Sequence, residues 1–234
     1  MVGITKQLTL TIKIMKKYLS YMVMMLAGVL LFSCQKESFN YKEGYVGGSK
    51  ITTYPTITLA GGDYILVTKG GTFTDPGATA KAGDADVPVT ATTVDVNTAG
   101  VYTVTYTATN SDGFSATASR HVIVYATDAS AQGNDYSGNY ARNTNGSVAE
   151  WTKLAPGVYS VFNPGGAPGT DLTVIVFNPT GKTIFIPQQN ASDGSSTSSA
   201  SESTVAGAGG TLSSYKMIIV NPGYGASVRT FNKI

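Results

Sequence analysis

Few residues in this chain are equipped for bond-making chemistry, and their spacing narrows the choice further. The 234 residues hold one cysteine, Cys34, and one histidine, His121. A Ser-His-Asp or Cys-His arrangement would need His121, which falls inside an alternating strand pattern, and no G-x-S-x-G elbow supplies a nucleophile. A zinc site built on several histidines is excluded by count. No Gly-rich phosphate loop follows a strand and opens a helix. Paired carboxylates for glycoside hydrolysis would have to come from Asp135, Glu150, Asp171, Asp193 and Glu202, which are scattered through the second half of the chain. Asp75, Asp84, Asp86 and Asp112 lack the spacing of a calcium loop, and each suits a turn in which its side chain bonds nearby backbone. The chain is therefore read as a non-enzyme using no metal and no cofactor.

The aromatic residues are better suited to recognition. Sugar rings stack their C–H faces on Trp or Tyr while polar neighbours fix orientation. Tyr136, Tyr140, Trp151, Tyr215 and Tyr224 all fall in the second half, with Arg142, Asn143 and Glu150 close in sequence to the first three. Trp151, the lone tryptophan of a small β domain, equally suits a core. Tyr224 stands between Gly223 and Gly225 in a turn, so its ring is expected to project. The candidate ligand-binding set is Tyr224, Trp151, Tyr140, Tyr136 and Arg142.

The location of that set depends on residues 15–34, MKKYLSYMVMMLAGVLLFSC. Lys16 and Lys17 form a basic n-region, about fifteen apolar residues follow, and a small residue precedes Cys34, the layout of an export signal. The run is too short to favour a membrane-spanning helix of about twenty apolar residues. Leu31-Phe32-Ser33-Cys34 resembles the lipobox of bacterial lipoproteins. That resemblance implies lipidation of the Cys34 sulfur and an N-terminal lipid holding the protein to a membrane; the expected location is the outer membrane, at the cell surface. Four lysines and no acidic residue precede Cys34, so the mature chain keeps 12 basic against 14 acidic residues, a net charge of about −2. Without a Lys/Arg cluster it lacks the footprint that a phosphate backbone requires, and nucleic acid is not an expected partner.

Low charge, 27 glycines and 14 tyrosines favour strands joined by tight turns, an all-β fold. Residues 1–34 are the signal, and 35–50 read as a polar tether. Residues 51–126 show short strand signals at sandwich spacing. In AGVYTVTYTATN, Tyr102, Val104, Tyr106 and Ala108 share one face, and Asn110-Ser111-Asp112-Gly113 supplies a turn. Residues 127–133, TDASAQG, read as a small polar linker, and 134–234 as a C-terminal antiparallel meander, a barrel or a second sandwich. Three Asn-Pro corners, at Asn163, Asn178 and Asn221, punctuate it, and type II geometry with a positive-φ glycine is expected at Gly165 and Gly223. Residues 190–210 are poor in bulky apolar side chains and are expected to form a mobile loop.

The motifs PTITLAGGDYILVTKGGTFTDPGATA, AGVYTVTYTATNSDG and HVIVY resemble a bacterial immunoglobulin-like family of unknown function that recurs in secreted proteins and surface lipoproteins. That implies a seven-strand-type sandwich with a spacer or adhesive role. GNYARNTNGSVAEWTKLAPGVYSV and VNPGYGASVRTF resemble a second family of unknown function. It follows such modules in lipoproteins of glycan-foraging Gram-negative bacteria, near genes for polysaccharide uptake. The resemblance implies polysaccharide as a partner, or docking to an outer-membrane protein with no sugar bound.

Overall fold

The computed structural model describes residues 13, 15–25, 43–46 and 49–234. Cys34 and the lipidation expected of it lie outside these residues. Two compact units emerge, Met1–Thr52 and Thr53–Ile234. In the first, residues 15–25 are helical, and β1 (Tyr45–Val46) pairs antiparallel with β2 (Ser49–Lys50). Among the described residues no helix is long and apolar enough to cross a membrane.

The second unit is all-β and opens with an immunoglobulin-like sandwich. One sheet holds β3 (Pro55–Leu59), β5 (Ala78–Ala82) and β6 (Ala85–Val87). The other holds β4 (Tyr64–Thr68), β9 (Ser115–Tyr125), β8 (Gly100–Thr109) and β7 (Val89–Ala91), with β4 parallel to β9. The period of two seen in β8 puts Val104, Tyr106 and Ala108 in the core, where they meet Val67, Val122 and Val124. Asn110 closes the β8–β9 turn as expected, its Oδ1 accepting the Asp112 and Phe114 amides.

The C-terminal half is an antiparallel sheet of eight strands ordered β13-β12-β11-β10-β17-β16-β15-β14. These are β10 (Gly138–Arg142), β11 (Val148–Ala155), β12 (Val158–Phe162), β13 (Thr173–Phe177), β14 (Gln189–Asn190), β15 (Ser196–Ala206), β16 (Leu212–Val220) and β17 (Arg229–Lys233). It curls until its edges nearly meet. Phe177 and Phe185 exchange backbone hydrogen bonds across the seam, and the Ser192 amide donates to Thr173 O. Between those points the Gln189 side chain accepts from the Ile175 amide and donates to the Ile175 carbonyl, both at 2.8 Å. A side-chain amide thus stands in for one ladder residue where Pro187 cannot donate.

Two expectations change here. Residues 190–210 contain β15, paired with β16 from Ser198↔Val220 to Ala206↔Leu212. Composition misled because a ladder is made by backbone, and β16 supplies the apolar side chains that β15 lacks. Gly165 and Gly223 are not at positive φ; that conformation falls on Asn163, at +52°, and Gly166, at +57°.

The segment between the sandwich and the barrel is anchored. A short helix, Ala129–Gln132, buries Ala131, the Asp128 amide donates to Pro179 O, and Thr127 Oγ1 donates to Pro156 O. Beside it, Ile123 of the sandwich joins Val158, Ile175 and Phe177 of the outer barrel face in one apolar cluster, flanked by Val101 and Tyr125.

Candidate functional site

Alternation along each barrel strand sends one set of side chains inward, and here that set is bulky enough to fill the barrel. Tyr140, Trp151, Tyr159, Tyr215 and Phe231 pack with Leu172, Val174, Met217 and Ile219. Trp151 Nε1 donates to Tyr215 OH at 3.1 Å, Tyr215 stacks on Phe231 at 4.8 Å, and Tyr136 stacks on Tyr159 at 5.6 Å. Burial raises the Tyr140 and Tyr215 phenols well above their usual range and pushes Tyr159 up to about 12, so all three stay neutral.

Three of the five expected ligand-binding residues are therefore placed in the core. Tyr136 is 3% exposed, Tyr140 0% and Trp151 3%, and their rings are covered by one another. A meander that closes has to fill its interior, and the aromatic residues do so.

Tyr224 and Arg142 remain at one mouth of the barrel. Arg142 ends β10, paired with Phe231, and Arg229 begins β17 two residues away, so both guanidiniums rise on the lumen side above Phe231. Arg142 Nη1 donates to Gly166 O at 3.2 Å, and Arg229 Nη1 donates to Ser227 O at 3.1 Å. The Tyr224 ring does not project freely from its turn as expected. It is half-buried against the barrel core, with the Arg229 guanidinium carbon 5.0 Å from its centroid and Gly165 against its edge. The Asn221 amide group closes that turn, donating to Ser195 Oγ and Thr197 Oγ1 and accepting from the Gly223 amide.

Two clefts open on either side of Tyr224. The polar one, of about 490 Å³, is lined among others by Arg142, Thr170, Asp193, Asn221, Tyr224 and Arg229. An apolar one, of about 380 Å³, runs along Ile218, Val220, Pro222 and Tyr224. Burial depresses the Arg229 pKa, and the like charge of Arg142 depresses it further. Asp193 is the one carboxylate lining the polar cleft, and the Ser195 hydroxyl and amide hold it below the usual carboxylate range. Sequence reasoning passed over Arg229, because strand pairing alone brings it beside Arg142.

Two of the candidate acids of the sandwich sit in local bonds. Asp75 Oδ1 accepts from Tyr106 OH at 2.5 Å and from the Gly77 amide, and Asp86 pairs with Lys81 at 3.0 Å. His121 lies half-buried in β9 and stacks on Tyr64, the rings 6.0 Å apart.

Residues 57–124 match the family described as bacterial surface protein, Ig-like domain, and they span the sandwich from β3 into β9. The match is confined to the sandwich and leaves the barrel outside it. Among solved structures, a crystal structure of a lipoprotein from Bacteroides thetaiotaomicron is similar at 23% identity, covering 77% of this chain and 100% of that one with a TM-score of 0.38. No curated protein matches the chain.

Proposed function

We propose that this chain is a lipid-anchored protein of the outer membrane, facing the cell exterior, whose C-terminal barrel binds a glycan without transforming it. The observation that carries the reading is the polar cleft at the barrel mouth, where donors, an acceptor and the Tyr224 ring converge on about 490 Å³. The lipobox-like run ending at Cys34 and the match of residues 57–124 to a surface-type Ig-like family support the location. A non-catalytic role fits the charge state of Asp193. Glycoside hydrolysis needs a second carboxyl with a raised pKa, and Asp193 is held ionised with no other carboxylate lining the cleft.

A second reading, docking to another outer-membrane protein with no sugar bound, draws on the burial of Tyr136, Tyr140, Trp151 and Tyr215, which removes the stacking platform the sequence suggested. A glycan array and an envelope pull-down with the full chain separate the two. Saturable binding to a glycan supports the first reading. A blank array with one stoichiometric membrane-protein partner assigns the second.

A further inference from the structure

The barrel mouth carries two arginines that no carboxylate among the described residues pairs with. Arg229 is 7% exposed, and its Nε is buried without a hydrogen-bond partner. The Nε of Arg142 is likewise buried and unpartnered. Backbone carbonyls take part of each guanidinium through its Nη1 group, Gly165 and Gly166 for Arg142, and Gly225 and Ser227 for Arg229. Among the described residues neither arginine forms an ion pair with a carboxylate, and the Ser195 amide and hydroxyl take only Oδ1 of Asp193. Two like charges held together above an aromatic core are costly to the fold unless something compensates them. A planar guanidinium fork matches a carboxylate or a sulfate better than it matches a neutral hydroxyl.

We infer that the polar cleft takes an acidic sugar, with Arg142 and Arg229 on its carboxylate or sulfate and Asp193 at the rim accepting its hydroxyls, an inference that rests on the glycan reading above. Tyr224 fixes the site from below. Its ring holds Arg229 on one side and separates the charged cleft from the apolar one, so the ligand's anionic edge and its C–H face have different walls to meet. Phe231 beneath Arg142 lowers the local dielectric, which strengthens the charge contact relative to one in open water.

The test is a titration of the full chain in detergent with four probes: oligogalacturonate, its methyl ester, a sulfated oligosaccharide, and a short peptide with a free C-terminal carboxylate. Binding of the uronate or the sulfated sugar is expected, weakened tenfold or more by esterification and weakened as salt rises. The acid that binds identifies the anion. Equal affinity for acid and ester overturns the inference while leaving the glycan reading intact. Binding of the peptide alone, or of no probe, overturns the inference, and the glycan array decides the glycan reading separately. Arg142→Gln, which leaves Arg229 and the Tyr224 contact in place, is expected to erase the acid-over-ester preference. An unchanged preference in a variant with wild-type melting would also overturn the assignment.

Discussion

Gly165 lacks a side chain where Tyr224 needs the room: a Cβ on Gly165 would stand 2.1 Å from Tyr224 Cε1. Two Asn-Pro-Gly corners far apart in sequence, at 163–165 and 221–223, are thereby locked against each other at the barrel mouth. Gly165→Ala should displace the Tyr224 ring, costing about 1–3 kcal/mol as overpacking does. That corresponds to a fall of roughly 2–10 °C in Tm. Gly225→Ala is the control, since its Cβ would meet nothing within 4 Å. Equal melting of the two variants would show that the corners slide freely past one another.

Gln189 is the seam of the barrel. Gln189→Ala removes the partners of both the Ile175 amide and the Ile175 carbonyl in a buried setting. At about 1–3 kcal/mol for each of the two stranded groups, a loss of about 2–6 kcal/mol is expected. Denaturant midpoints measure it, and amide exchange at Ile175 should accelerate selectively. A variant as stable as the wild type would mean that water replaces the amide at the seam.

Periodicity made β8 and its buried face legible, because alternating side chains announce themselves along a strand that has one wet side. The Asn-Pro corners were visible for a similar reason, since proline fixes φ wherever it falls. What could not be read was any property set by pairing between distant strands. Arg142 and Arg229 are 87 residues apart and meet only because β10 lies beside β17. The inward direction of Trp151 and Tyr140 depends on closure of the sheet, which their own sequence neighbourhood does not encode. Ser- and Thr-rich β15 was missed because its stability is borrowed from β16.

His121 gives the fold a pH dependence with a definite sign. Burial lowers its pKa below the usual histidine value, and Asp63 opposes that in part. Below about pH 6.5 the unfolded chain therefore takes up a proton that the folded chain resists. Stability should be constant above that pH with respect to this residue, fall as pH drops through it, and level off below the folded pKa. Because His121 is the sole histidine, His121→Gln should flatten the Tm profile between about pH 5 and 7. A profile unchanged by the substitution would assign the slope to carboxylates.

The proposed anchor rests on one atom, the Cys34 sulfur. Cys34→Ala should abolish detergent-phase partitioning and the mass of diacylglycerol plus acyl chain carried by the wild type, while leaving the fold of residues 53–234 intact. Equal partitioning of both proteins would remove the lipid from the account.

The sandwich and the barrel should resist separation, although residues 127–133 read as a polar linker open to protease. Proteolysis requires local unfolding of the cut segment. Here that means releasing Ala131 from its buried site and breaking the Asp128–Pro179 and Thr127–Pro156 hydrogen bonds. Behind the segment, Ile123 is 0% exposed and Phe177 4%, both within the shared apolar cluster. Limited digestion of the full chain should therefore leave one resistant fragment covering residues 53–234, with 127–133 uncut. Phe177→Ser removes a ring on the outer barrel face that lies outside the filled interior, so the lumen packing of Trp151 and Tyr215 is retained. The cost should approach the 3–5 kcal/mol typical of losing a buried phenylalanine. Much of that loss falls on the contact between the two β structures, so cleavage at 127–133 should appear in the variant before either structure melts. Early cleavage at this segment in the wild type would show that the shared cluster does not hold the halves together.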